Sequence, residues 1–375
     1  MEKLPKGVIS VLRTLESCGG EAWLVGGCVR DRLLGRPVHD WDICTSLHPE
    51  AVMAAFSHTV PTGLRHGTVT VLWDDIPYEV TTYRTDGVYR DHRRPEQVTF
   101  ANALWEDLSR RDFTVNAMAM GLDGSLVDLF CGREDLHRRV IRCVGVPERR
   151  FTEDALRILR AVRFSAQLGF SIAPETAQAM EQCSACCAAL SAERIRDEVE
   201  KILCSGQPER LQELLSLGVL ERFGGADAGG LEAVGTLPPD RKLRWAALLR
   251  AAPGLDLRAL RLDHQTVRLC EGALACCPVP EDRIALKRLA AEHGRDCLRC
   301  AAMLCGRTET VEAVLQSGEC IDLKELAVSG RDFPSLHGPA LGAHLRALQV
   351  HVWACPEDNT RERLLAYTEK TYKKV

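Results

Sequence analysis

Two carboxylates, Asp40 and Asp42, bracket Trp41 in the segment HDWDICT, and twelve residues separate Asp40 from the pair Gly26-Gly27. In an extended strand, side chains two apart share a face, so both carboxylates converge while Trp41 and Ile43 turn towards the core. Convergent carboxylates are hard-oxygen ligands suited to Mg²⁺, with nucleotide phosphates completing the coordination. Glu79, in PYEVTTYR, is a candidate third carboxylate. Taken alone, Asp-x-Asp reads rather as a solvated loop. The preceding LVGG favours the metal reading, because a strand running through Gly26-Gly27 into a helix lets backbone N–H groups approach a phosphate closely. Neither GxGxxG nor GxxxxGK[ST] occurs, so dinucleotide and P-loop readings have no support.

A second constellation lies in FTEDALRILRAVRF, from Phe151. The pattern predicts a helix with Thr152 as N-cap and with Glu153 and Asp154 in its first turn. Asp154, Arg157, Arg160 and Arg163 recur every third residue and fan across one side, while Leu156, Leu159 and Val162 populate another. For an isolated helix this is a solvated charged face. Its chemistry offers more. A carboxylate accepts from an exocyclic amine and a guanidinium donates to a ring nitrogen or carbonyl. Cytosine and adenine both present an amine beside an acceptor, whereas uracil and guanine present a carbonyl beside an N–H. A base held between Asp154 and Arg157 would therefore be accepted as C or A and rejected as U or G, which makes the pair a candidate protein template for CTP and ATP.

The elements that must carry these groups are an α/β head followed by an all-α remainder. The first third alternates β-branched, strand-like runs (AWLV, TVTVLWD, PYEVTTYR) with short helical patterns, and from about Phe151 the periodicity is helical. GGADAGGLEAVGTLPP, from Gly224, reads as a surface connection and boundary. The 375 residues, 46% hydrophobic and 27% charged, suit a protein with a sizeable core, and no stretch approaches the ~20 apolar residues of a membrane helix. The net charge of −4 argues against a uniformly basic coat. Of the 48 basic residues 39 are arginine, and no lysine occurs between Lys6 and Lys201; two-pronged phosphate or base contacts and codon bias both account for this. Seventeen scattered cysteines fit reduced thiols in a cytoplasm, and the pairs Cys183/Cys186 and Cys297/Cys300 match no compact zinc module.

The Gly-Gly turn followed by Asp40 and Asp42 resembles the nucleotidyltransferase superfamily of DNA polymerase β. The motifs LVGGCVRDRLLGR, TGLRHGT, RRDFTVNAMA, DLFCGREDLHRRVIRCVG, FTEDALRILRAVRF and SAERIRDEVEKIL narrow this to a resemblance to the class II tRNA nucleotidyltransferases, comprising bacterial CCA-adding enzymes and their poly(A) polymerase relatives. The resemblance implies two Mg²⁺ ions on Asp40 and Asp42, and base selection by Asp154 and Arg157. It assigns Gly26, Gly27, Arg30, Arg111, Arg160 and Arg163 to nucleotide and triphosphate contacts, with Asp112 and Asn116 near the ribose. Arg111 with Asp112 reads equally as a structural ion pair, and His66, before Gly67 at a strand entrance, reads as structural. Cys131 stands where many members have glycine.

It further implies a nucleotidyltransferase head over residues 1–145, a helical neck over 146–205, a body over 206–290 and a tRNA-binding tail over 291–375. The loop from Asp86 to Pro95 matches the DGxYxDxRRP pattern that accompanies the switch from C to A addition, which favours full CCA or A addition. Gly330, Asp332, Gly338-Pro339, Gly342, Leu345, Asn359 and Leu364-Leu365 resemble the tail of the short CCA enzymes; the poly(A) polymerases usually carry a longer, strongly basic C-terminus, and with the sequence ending soon after Lys373-Lys374 the expectation favours CCA addition. The expectation is a cytoplasmic enzyme that adds C, C and A to tRNA from CTP and ATP, with poly(A) or A-only addition as the alternative. A catalytically silent RNA-binding protein is a more remote one. A net-acidic protein must gather positive charge along one face for tRNA, with Lys370, Lys373 and Lys374 as candidates.

Overall fold

The computed structural model describes residues 3–86, 98–225 and 228–372. From Gly87 onward the expected switching loop, Asp86 to Pro95, lies outside the described residues, as do Lys373 and Lys374.

The chain divides into two compact units, residues 1–227 and 228–375, and the division falls inside the GGADAGG segment. The first unit contains β1 (Ala22–Val25), β2 (Asp42–Thr45), β3 (Thr59–Gly63), β4 (Thr68–Trp73), β5 (Ile76–Thr82), β6 (Arg84–Asp86), β7 (Val98–Phe100), β8 (Met118–Met120) and β9 (Leu126–Asp128). Strands β6 and β7 form a separate antiparallel ribbon, and the other seven make one sheet in the order β3-β4-β5-β2-β1-β8-β9. Within that sheet only β2 and β5 pair in parallel.

Alternation explains the strands. In β5, Tyr78 and Val80 are buried while Pro77 and Glu79 are exposed; in β4, Val69 and Val71 are buried while Leu72 is exposed. Helix α1 (Lys6–Ser17) buries Val8, Val11, Leu12 and Leu15 completely, a face at three- and four-residue spacing. A side chain at Gly7 would run into the Tyr78 hydroxyl, which places α1 against the Tyr78 face of the sheet. The short helices α2 (Gly27–Leu33), α3 (Pro49–Ala55), α4 (Leu104–Ser109) and α5 (Gly132–Arg138) complete the head.

Helices α6 (Pro147–Glu153), α7 (Leu156–Leu168), α8 (Pro174–Cys183), α9 (Ala192–Leu203) and α10 (Leu211–Ser216) follow in the same unit. The parallel pair β10 (Val140–Ile141) and β11 (Ser171–Ile172) ties the chain after α7 back to the head. Two expectations need correction. The helix expected to start at Thr152 is two helices: Thr152 lies in the last turn of α6, its hydroxyl bonded to the Glu148 carbonyl at 2.7 Å, and so it does not cap α7. Asp154 is extended (φ −142°, ψ 103°) and breaks the run, and its Oδ1 accepts from the Leu156 N–H at 3.1 Å to start α7. Likewise, Asp40 precedes the strand that begins at Asp42, and Trp41 is half-buried where alternation predicts a core position; Ile43 is buried as expected.

The second unit holds α11 (Leu231–Gly235), α12 (Arg241–Ala251), α13 (His264–Ala275), α14 (Arg283–His293), α15 (Arg295–Cys305), α16 (Thr308–Leu315), α17 (Gly338–Ala354) and α18 (Arg361–Tyr372). Asp240, Asp263 and Asp282 cap α12, α13 and α14 through their side chains. Leu348, Val352 and Leu364 centre a core with Phe333 and Val328. The tail residues singled out in the sequence serve this packing. Asn359 accepts from the Ala327 N–H and donates to the Glu325 carbonyl, and Asp332 accepts from Arg361. Lys370, a candidate for tRNA contact, lies in the last turn of α18. No helix among the described residues is long and apolar enough to cross a membrane.

Candidate functional site

The register of the parallel pair in the main sheet brings two carboxylates together. Asp42 opens β2 directly opposite Glu79 of β5, so both side chains share the sheet face opposite Tyr78 and Val80. Burial pushes the Asp42 carboxyl above the usual carboxylate range; Arg111 opposes this, and the nearby charges of Glu79 and Asp40 add to it. Three carboxylates thus face the guanidinium of Arg111, and the excess of hard oxygens fits a cation-binding role.

Gly26 follows β1 at φ 75°, in the left-handed region, and is the N-cap of α2. A Cβ there would lie 3.0 Å from Arg111 Nη1 and 3.5 Å from Asp42 Oδ2, so the glycine, the guanidinium and the carboxylate meet at one point. Arg111 is anchored by Asp107 (Nη2 to Oδ2, 3.0 Å), and not by Asp112 as the structural alternative had it. Burial works against its charge, yet Asp107 and Asp42 are among the groups that outweigh it and raise its pKa.

A second network links the head to α7 and α9. Arg30 Nη1 donates to Asn116 Oδ1 (2.7 Å), and Asn116 Nδ2 donates to Asp112 Oδ1 (3.2 Å). The other Asp112 oxygen accepts from Arg160 Nε at 2.7 Å. Burial alone would raise the Asp112 carboxyl, but Arg160, Asn116 and the Phe113 N–H together hold it at about 2. Arg163 lies 2.8 Å from Glu198 of α9, close enough for an ion pair although the N–H is not aligned as a hydrogen bond. The guanidinium carbons of Arg30, Arg160 and Arg163 stand 5.2, 5.2 and 4.2 Å from the Phe164 ring centroid. Phe164 thus gathers three cations on its π system. Nothing in the helical spacing points to Phe164.

Asp154 and Arg157 sit at the α6–α7 break, each with another partner. Asp154 Oδ2 accepts from Arg194 Nη2 at 2.9 Å. Arg157 is buried; its Nη1 reaches Glu153 Oε2 (2.8 Å) and the Arg150 carbonyl (3.0 Å), and its Nη2 the Arg110 carbonyl (3.2 Å). Sequence reasoning misses Arg194 and Glu153 as partners, although each lies in a motif already singled out. His66 ends a single 3₁₀ turn before Gly67 (φ 76°), and its carbonyl accepts from Arg84, in line with a structural part.

Comparison with known proteins gives the family. Residues 22–142 match the family model of the poly A polymerase head domain, and residues 169–223 match that of the probable RNA and SrmB-binding site of polymerase A. The CCA-adding enzyme of Geobacillus stearothermophilus is 38% identical over 384 residues, covering 96% of this chain and 95% of that protein. The CCA-adding enzyme of Lactobacillus delbrueckii subsp. bulgaricus is 47% identical over 245 residues, and there the aligned part spans 64% of this chain and 62% of the relative. Among solved structures, that of the Bacillus stearothermophilus CCA-adding enzyme in complex with CTP superposes with a TM-score of 0.83 at 35% identity, covering 98% of both chains. With head sheet, helical remainder and near-full-length similarity in agreement, the chain belongs to the CCA-adding enzyme family of nucleotidyltransferases.

Proposed function

We propose that this protein adds C, C and A to the 3′ end of tRNA from CTP and ATP, releasing pyrophosphate. The observation that carries the reading is the registered pair Asp42/Glu79, with Asp40 beside it, facing the Gly26 turn and Arg111. Asp40 and Asp42 are the residues that would hold two Mg²⁺ ions, and a bound divalent cation lowers the pKa of an attacking 3′-hydroxyl and neutralises charge on the phosphates. The chain's own groups do the rest. Backbone at Gly26 and Gly27 admits the triphosphate closely, Arg111 presents fixed positive charge beside Asp42, and Arg30, Arg160 and Arg163 supply cations along the adjoining face. Asp154 and Arg157 read the pairing edge of the base. The four-part reading from the sequence, a head over 1–145, a neck over 146–205, a body over 206–290 and a tail over 291–375, is kept as a proposal; its boundaries are finer than, and do not coincide with, the division into compact units after residue 227. In the second unit Lys242, Arg268 and Lys324 line one cleft, which supports an RNA backbone partner. The site of action is the cytoplasm.

The test is incubation with tRNA lacking its last three nucleotides, Mg²⁺ and each labelled NTP. Incorporation of C and then A, stopping at CCA, is expected. The match to a poly A polymerase head domain favours a second reading, for which long A tracts would be the outcome. No incorporation would overturn both and leave a silent RNA binder.

A further inference from the structure

We propose that the end of α17 carries a binding site for a borderline transition-metal cation, with Zn²⁺ as its chemical type, formed by His351, Cys355 and Asp358. His351 lies in the last turn of α17 and Cys355 is the C-cap of that helix, its N–H bonded to the His351 carbonyl at 2.9 Å, so the two residues stand one turn apart at the helix end. The 3₁₀ turn Pro356–Asp358 then folds the chain back, and Asp358 Oδ2 comes to 2.9 Å from His351 Nε2. One donor atom from each of the three residues lies within 4.8 Å of the other two, and all three residues are half-buried.

The donor set selects the ion. Nitrogen, thiolate and carboxylate together suit Zn²⁺ in a four-coordinate site with water in the last position, and disfavour Mg²⁺, which takes oxygen. For ligands about 2.0–2.1 Å from a tetrahedral ion, the nitrogen–oxygen edge is about 3.3 Å. The His351–Asp358 pair must therefore open by only a few tenths of an ångström.

The surroundings hold the ligands in place. The His351 ring is stacked on Tyr367 of α18, with centroids 3.8 Å apart and planes at 16°. Arg363 donates to the other Asp358 oxygen, Oδ1, at 3.2 Å, leaving Oδ2 directed at His351. Oriented ligands of this kind are what outer partners contribute to a metal site. A bound ion would join α17 to the following turn and, through the Tyr367 stack, brace α18.

The experiment is a Zn²⁺ titration of the chelator-treated full chain in excess Mg²⁺, with Co²⁺ as a spectroscopic probe. One Zn²⁺ site, together with cobalt absorption bands of a four-coordinate thiolate complex, is expected. Cys355→Ser and His351→Ala should each weaken that site at least tenfold and remove the thiolate band or alter it, while both CxxC pairs remain in either variant. Asp358→Asn is the milder third variant should His351→Ala fold poorly. Unchanged stoichiometry, affinity and cobalt spectrum in Cys355→Ser would overturn the proposal.

Discussion

The Asp154 carboxylate is held by the Arg194 guanidinium, Oδ2 to Nη2 at 2.9 Å, across the space between the α6–α7 break and α9. Its proposed partner in base selection, Arg157, is held instead by Glu153 and by two backbone carbonyls. The two halves of the proposed template are thus positioned by different groups. This changes which substitution is the clean probe. Asp154→Asn keeps the shape and is expected to raise UTP and GTP incorporation relative to CTP and ATP. Arg157→Ala removes a buried guanidinium that donates to the Arg150 and Arg110 carbonyls and should also destabilise the protein by about 1–3 kcal/mol. Four-nucleotide competition on a tRNA acceptor, read with a thermal melt, checks both; unchanged selectivity in Asp154→Asn would rule out the template.

The Asp112–Arg160 contact predicts a pH dependence. The folded-state carboxyl is held at about 2, below its ordinary value of 3.8. A depressed carboxylate stabilises the fold above the unfolded value and loses that contribution as pH falls through the folded one. Its worth at neutral pH is about 2 kcal/mol. Asp112→Asn is expected to be less stable than wild type at pH 7 and to change less between the ordinary value of 3.8 and the folded value of about 2. Urea midpoints across that range test it.

Where β2 begins beside β5, charge is crowded for function. Asp42→Asn should lower the rate of nucleotide addition by about 10²- to 10³-fold and leave the melting temperature equal or higher, because it relieves repulsion among neighbouring carboxylates. Gly26→Ala should also cut the rate, but with lower stability, since φ 75° disfavours a side chain and its Cβ would press on Arg111. Rate and melting temperature moving together for Gly26→Ala, and apart for Asp42→Asn, is the expected signature.

Cys131 is an exposed residue in the left-handed region, at φ 59° and ψ 33°. Cys131→Gly is expected to stabilise the protein by about 1 kcal/mol. Gly132→Ala should do the reverse, because its Cβ would run into the Thr114 carbonyl. Denaturant melts of the two variants decide the matter.

Sequence by itself determined the type of each main element and the identity of the chemical groups. Alternation marked β4 and β5, helical periodicity marked α7 and α9, and the Gly-Gly turn before Asp42 marked the point where β1 passes into α2. These features are local, since they depend on residue type and on spacing within a few turns. What only the tertiary structure decided is who pairs with whom. The parallel register that sets Glu79 against Asp42, the Arg111–Asp107 anchor, the Arg160–Asp112 pair and the Arg194 hold on Asp154 all depend on how separate stretches of chain are brought together. The helix break at Asp154 belongs to the same class, because its carboxylate is also claimed by Arg194, forty residues on. Periodicity records which face a residue occupies, whereas the partner on the other side of that face depends on how the elements pack.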